Sequence, residues 1–485
     1  MTERVCTRCT DDDVLKEIMR REGKVARCSY CGNRRSSLTI SDLSERVHEV
    51  IEQYFSLTRS YPLYEYPEDW SREGEPVGSI IMDVASISET IAKDIQACLS
   101  DTYGYAIVKD VGGEDPYGTE AQYEEKPVEN YGIYESWDFF CEDVSHRARF
   151  FSRNRQEFLD FLFSDLEHLR TYANRPIIRS FGPGTSDRHV YRARRAMDHG
   201  HLIRIMRSPA VELGPPRGRL AKAGRVNASG ISVFYGALAE VTCVAEIRPP
   251  VGSYVVTGRF EVIRPLRLLD LGALTHIYEA RSYFDASYEQ SAARLSFLRK
   301  LGERISRPVL PEDEEFDYLP TQAIAEYLSS HRKLDGIVFH SAQTGQGGQN
   351  VVLFSEASVV EPYELQPGTE IDVYFVYRSF EEDPDHVGRG YEMITVSETV
   401  PGEQPSVSGS IEEESRHDEK RAVDFRASLR APEPSGTHVP MPFGEPALRL
   451  DVQHIKVSAI RAVQYDLDSV TVGRHQSTKR ERPKV

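Results

Sequence analysis

No stretch of this 485-residue chain approaches the ~18 consecutive apolar residues that a membrane-spanning helix needs, so no span is expected. The N-terminus, MTERVCTRCTDDD, lacks the apolar core of a secretory signal, which makes the cytoplasm the expected location. Positive charge is also in deficit: 59 Lys and Arg stand against 76 Asp and Glu, a formal net charge of −17. That deficit excludes a chain-wide electrostatic footprint for nucleic acid, which is not an expected partner. Internal repeats are missing, which excludes a solenoid. What is present, 40% hydrophobic and 28% charged residues, is the composition of a globular protein, and the length predicts two to four domains. A mean hydropathy of −0.46 signals that part of the chain is not packed.

Cysteine is scarce but unevenly placed. Cys6, Cys9, Cys28 and Cys31 form two C-x2-C pairs, whereas Cys98, Cys141 and Cys243 stand alone and read as small buried hydrophobes. Paired knuckles at this spacing let four thiolates surround one tetrahedral zinc. Two disulfides or four free thiols are the alternatives, and in a chain without an export signal a structural zinc over residues 1–38 is the expectation. Arg8, Arg27, Arg34 and Arg35 beside the knuckles would suit nucleic acid, but such arginines more often keep a surface soluble.

Residues 39–175 read as helical. Leu43, Val47, Val50, Ile51 and Phe55 keep one helical face, with Thr39 and Asp42 placed for a capping box. Ile80, Val84, Ile87, Ile91, Ile95 and Leu99 repeat the pattern as one run, and Phe150, Phe151, Phe158, Phe161, Leu162, Leu166 and Leu169 as another. An acidic loop over 102–132 separates the last two, and a helical bundle accounts for the stripes.

From 176 to 380 the texture changes to short strands punctuated by Gly and Pro: HVYRARRA, ISVFYGAL, GSYVVTGRFEV, PLRLLDL, LDGIVFHSA, QNVVLF and IDVYFVYR, with one helix in TQAIAEYLSSHR. Residues 381–444 are rich in Pro, Ser, Glu and Arg, a composition that predicts a long disordered insertion. Strand patterning returns over 445–470, and 471–485 form a basic tail. The predicted fold class is α+β: a zinc knuckle, a helical bundle, then a mixed α/β domain.

Within that last domain the polar residues fall in a telling order. Tyr191 and Arg192 lie on a strand; Arg225, Asn227 and Gly230 follow in GRVNASG; Tyr235 ends the next strand and a helix reaches Glu246. Ser341 and the GQGGQN segment with Asn350 come later. This series resembles the RES domain, named for its Arg, Glu and Ser, with Val226 where the family has Trp. The resemblance covers roughly 180–375. The helical part resembles, more loosely, the HEPN-type N-terminal domains attached to some RES proteins. HEPN ribonucleases place a His after an Arg at a spacing of four to six residues. His48, His146 and His168 do not follow that spacing, and Arg194 and His199, which do, lie beyond the bundle.

The RES resemblance implies a fold similar to ADP-ribosyltransferases and an enzyme that consumes NAD, breaking its nicotinamide–ribose bond by hydrolysis, phosphorolysis or transfer to a protein. It places Arg192, Glu246 and Ser341 as catalytic residues and Tyr191, Arg225, Asn227, Tyr235 and Asn350 around the bound NAD. It further implies a toxin or anti-phage effector, restrained by its N-terminal region or by an antitoxin or trigger protein, and is compatible with a homo-oligomer. The residue types suit this chemistry. Guanidinium groups pair a diphosphate in bidentate fashion. A carboxylate stabilises the positive charge that builds on the ribose as nicotinamide departs. GQGGQN, through Gly345, Gly347 and Gly348, reads either as a phosphate cradle or as a hairpin connection. The competing reading is an inactive zinc-containing adaptor that binds nucleic acid or senses a signal.

Overall fold

The first folded piece is a three-stranded antiparallel sheet of β1 (Arg4–Cys6), β2 (Lys24–Arg27) and β3 (Arg34–Thr39), in the order β1-β3-β2. Helix α1 (Asp13–Glu22) crosses between β1 and β2; the Asp12 carboxylate caps it by accepting the Leu15 N–H at 2.7 Å. The two C-x2-C turns flank this sheet.

The computed structural model describes residues 3–59, 61–62, 70–104, 114–127, 131–147, 152–279, 281–306, 314–344, 347–377, 391–400, 425–430 and 444–464. The chain divides into two compact units. One is Met1–Ile178 with Asp270–Arg307, and the other is Arg179–Leu269 with Pro308–Val485.

In the first unit, α2 (Ile40–Tyr54) begins with the capping box expected from the sequence: Thr39 Oγ1 accepts the Asp42 N–H at 3.1 Å and Asp42 Oδ2 accepts the Thr39 N–H at 3.2 Å. Leu43, Val47, Val50 and Ile51 are all buried. The run Ile80–Leu99 is a correction, because it forms two helices, α3 (Val77–Ala85) and α4 (Glu89–Leu99). Ser86 takes φ +47°, and its N–H closes α3 on the Asp83 and Met82 carbonyls, which turns the chain between two halves of one apolar stripe. The segment read as a loop over 102–132 is also more than a loop. Tyr117, Ala121 and Tyr123 are buried in the same core as α2–α4, with Gln122–Glu125 a short strand. Residues 105–113 and 128–130 of it lie outside the described residues. Helices α5 (Tyr131–Glu142) and α6 (Arg153–Leu162) follow, and Phe150 and Phe151 of the expected third stripe lie outside the described residues.

The second unit is built on an eight-stranded sheet. Its strands are β4 (Ile178–Phe181), β5 (His189–Ala196), β6 (Phe234–Ala237), β7 (Tyr254–Val262), β8 (Leu266–Asp270), β9 (Gly336–His340), β10 (Gln349–Leu353) and, skipping three strands of a separate sheet, β14 (Leu448–Ala459). The order is β4-β8-β9-β10-β6-β5-β7-β14, and the pairs from β9 through β14 are antiparallel. Apolar residues alternating along these strands bury one face: Val190, Phe234, Val256, Phe260, Val338, Val351 and Leu353 meet Leu202, Ile205 and Met206 of α7 (His199–Arg207). Each such side chain contributes roughly 1.5–3 kcal/mol on leaving water. Helix α8 (Glu240–Glu246) follows β6, and α9 (Leu319–Ser330) precedes β9.

The remaining sheet corrects the reading of 381–444 as disordered throughout. Strands β12 (Tyr391–Thr399) and β13 (Phe425–Arg430) pair antiparallel on either side of β11 (Glu370–Tyr377). YEMITVSET and FRASLR alternate as strands must, but their charged neighbours dilute that signal in a composition count. Residues 381–390, 401–424 and 431–443 lie outside the described residues, as do 465–485, which hold the basic tail.

Candidate functional site

Glu246 is the last residue of α8, which hands its carboxylate to the end of the sheet next to β10. Two side chains from different elements hold it. Ser341, just past β9, donates its hydroxyl to Glu246 Oε1 at 2.5 Å, and Asn350 of β10 donates its amide to the same oxygen at 2.8 Å. Ser341 is itself fixed, its N–H bonded to the Gly348 carbonyl at 2.9 Å and its Oγ accepting the Gln343 N–H at 3.1 Å. Glu246 is exposed, whereas Ser341 and Asn350 are buried, so one carboxylate oxygen is tethered while Oε2 takes no hydrogen bond among the described residues. Asn350 Oδ1 and the neighbouring Thr344 Oγ1 are buried polar atoms without a partner among the described residues. Buried polar groups in that state are costly unless a ligand or water satisfies them. Gly348 is required here, because a Cβ would come within 2.9 Å of Thr242 Oγ1 and closer still to Thr344. Gly345, in the same segment, lies outside the described residues.

A second group gathers around Arg192 on β5. Its guanidinium lies over the Phe234 ring, 5.1 Å from the centroid, and its Nη1 is buried with no hydrogen-bond partner among the described residues. Burial, then repulsion from Arg194, pull the Arg192 pKa down to about 10 against a smaller opposing effect of Cys243. It is still a cation at neutral pH, and no carboxylate among the described residues forms an ion pair with it. A cavity of about 300 Å³ adjoins it, lined by Arg192, Arg194, Lys222, Asn227, Ile231 and Tyr235 among others.

Asn227 and Tyr235 sit in this wall, yet their polar atoms serve the turn. The Asn227 amide donates to the carbonyls of Lys222, Ala228 and Ile231 at 2.9–3.2 Å, and its Oδ1 accepts the Tyr235 hydroxyl at 2.8 Å. Both amide hydrogens are thus committed to the backbone. Tyr235 offers the cavity its ring rather than its hydroxyl, and burial raises that hydroxyl to about 12. We expect Asn227→Ala to cost roughly 2 kcal/mol, the penalty for unpairing buried carbonyls, measured by denaturant unfolding. Arg225 stacks over Tyr318 at 5.3 Å while its carbonyl accepts from Thr321, and Gln322 donates to the Gly224 carbonyl at 2.8 Å. The start of α9 therefore anchors this turn, a contribution that spacing along the chain does not reveal. Tyr191 faces Arg259, its partner across β5 and β7, with which it interacts through its hydroxyl.

Tyr191 pairs with Ala237, and Ala237 pairs with Asn350, so Tyr191 and Asn350 lie two strand spacings apart, roughly 10 Å, on one face, while alternation turns Arg192 to the other face, over Phe234. Thr344, Gln343 and Lys222 belong to the site but carry no mark in the sequence that separates them from loop residues. Arg194 is bonded to Glu212 at 2.8 Å, and the His199 ring packs on Phe375 with centroids 4.5 Å apart.

In the first unit the four thiols form a separate centre. Cys6, Cys9, Cys28 and Cys31 place their sulfurs within 4.8 Å of one another, with Cys6–Cys31 at 3.5 Å, Cys9–Cys28 at 3.7 Å and Cys6–Cys9 at 4.0 Å. A tetrahedron with metal–sulfur bonds of ~2.3 Å has sulfurs about 3.8 Å apart, so the cluster has the size to hold a metal.

Two family models match this chain: the RES domain over residues 189–373, and HEPN/RES N-terminal domain 1 over residues 21–158. No curated protein matches it. The chain therefore has HEPN/RES architecture, an α+β protein whose RES domain follows a helical N-terminal domain.

Proposed function

We propose that this HEPN/RES protein cleaves the nicotinamide–ribose bond of NAD. The observation that carries the reading is a carboxylate, Glu246, that Ser341 and Asn350 hold in one orientation; Arg192, whose buried Nη1 has no hydrogen-bond partner among the described residues, adds a cation on a neighbouring strand of the same sheet. A diphosphate supplies the counter-charge for Arg192, and Lys222 adds to the field of the same cavity.

The bond from the ribose anomeric carbon to the pyridinium nitrogen breaks, and its electron pair returns to the ring, so nicotinamide leaves neutral and needs no general acid. Positive charge develops on the ribose, opposite the Glu246 carboxylate. Asn350 and Ser341 occupy Oε1 and leave Oε2 for the substrate. Water, phosphate or a protein side chain then adds its oxygen to the anomeric carbon and releases a proton. Loss of NAD harms the cell that makes such an enzyme, so the role is that of a toxin or defence effector, restrained by its N-terminal region or by a partner. The four cysteines hold a structural zinc that takes no part in this step.

The test is nicotinamide release from NAD by the purified protein, followed by chromatography. A protein that binds NAD but releases no nicotinamide under any acceptor supplied would favour the adaptor reading. Arg192→Ala is expected to weaken NAD binding by about tenfold to a hundredfold, the loss of a charge-assisted hydrogen bond that substrate and transition state both make; calorimetry checks it.

A further inference from the structure

The β2–β3 hairpin carries a charge pattern that the net charge hides. Arg27 stands directly opposite Arg34 across the antiparallel pair, and Arg35 opposite Ala26. Lys24, Arg27, Arg34 and Arg35 are all exposed, as is Arg8 in the first knuckle turn, and none of these five side chains makes a hydrogen bond or ion pair among the described residues. Nearby acids are engaged elsewhere: Glu22 with Arg21 and Arg46, Glu17 with Arg20, Asp13 with Lys16, and Asp94 with the Tyr30 hydroxyl. Like charges directly opposite in a sheet are destabilising, and this sheet offers no carboxylate to offset them. A zinc with four thiolates would carry about −2, against +5 from the five side chains, leaving roughly +3 on this surface of a chain whose net charge is −17.

We infer that the β2–β3 hairpin binds the phosphate backbone of single-stranded nucleic acid. Strand alternation puts Val25, Arg27 and Arg34 on one face, and β2 is the edge of its sheet, open to approach. Lys24 and Arg35 fall on the other face, so the Val25 face presents the Arg27–Arg34 pair, two guanidiniums opposite one another between which a phosphate can sit. Val25, 65% exposed beside that pair on the same face, offers an apolar contact for an unstacked base. A duplex keeps its base faces stacked inside, so that contact favours a single strand. The inference stands apart from the proposed NAD chemistry, since no residue of the hairpin belongs to the RES domain.

The experiment is fluorescence anisotropy of a labelled oligouridylate with the purified full-length, zinc-loaded protein at low salt. Binding is expected to weaken with a log–log salt slope of about −1.4 to −2.1, matching two to three phosphates. Arg27→Glu combined with Arg34→Glu should lower affinity at least tenfold and flatten that slope while the zinc content stays at the wild-type value. If charge reversal disturbs zinc, the pair Arg27→Gln and Arg34→Gln is measured instead, with the same expectation. Absence of binding by the wild type, equal binding by the zinc-loaded variants, or tighter binding of a duplex of the same length would each overturn the assignment.

Discussion

Glu246→Gln should lower nicotinamide release about a hundredfold to a thousandfold while leaving NAD affinity nearly unchanged. The amide keeps an oxygen at the Oε1 position, so the hydrogen bonds from Ser341 and Asn350 survive and the side chain stays where it is. What disappears is the negative charge facing the ribose cation, which exists only as the bond breaks, so turnover falls and ground-state binding does not. Arg192→Ala should show the opposite signature, a loss seen mainly in binding. A turnover assay beside calorimetry separates the two. If Glu246→Gln releases nicotinamide at the wild-type rate, Glu246 is a solvated helix end and the reading of this site falls with it.

Metal removal should have the largest effect on stability. The purified protein is expected to carry one zinc per chain on Cys6, Cys9, Cys28 and Cys31, two of which, Cys6 and Cys28, are buried. Structural zinc in small domains binds with an apparent ~10–16 kcal/mol at neutral pH, more than a three-stranded sheet with one helix gains from its own core. Chelation, or Cys28→Ser, should therefore abolish amide protection across residues 4–39, read by hydrogen exchange with mass spectrometry. Elemental analysis is the companion measurement, and a metal-free protein with residues 4–39 still protected would end the idea.

The parts of this protein that were legible in its sequence are those where local pattern and final contact coincide. The α2 face and its Thr39–Asp42 cap follow from neighbours three and four residues apart, and the seven strand segments of the second unit from alternation. The break at Ser86 was hidden because the isoleucines from 80 to 95 keep helical spacing through it, and a left-handed serine leaves no mark on periodicity. β12 and β13 were hidden because their charged neighbours resemble linker composition, and only pairing with β11 makes them strands. At the site, the order of Arg192, Glu246, Ser341 and Asn350 was readable, but the use of each group was not. Asn227 has the chemistry of a ligand, yet the carbonyls of residues 222, 228 and 231 claim its amide, and nothing in the linear order shows that they converge. Asn350 shows the reverse: a residue read as meeting the substrate also holds the carboxylate.

The division of the chain carries a consequence of a genetic kind. Residues 270–307, including the helix Tyr288–Ser306, belong to the first unit although they fall inside the stretch matched by the RES family. A gene fragment cut at residue 178 strands that helix without the core it completes, leaving Phe297, Leu298 and Leu301, all fully buried in the whole protein, facing water. The RES half cannot be lifted out as a cassette by a single crossover. Recombination that kept it folded would have to carry both halves together, which ties the inheritance of the four-cysteine segment to that of the RES domain.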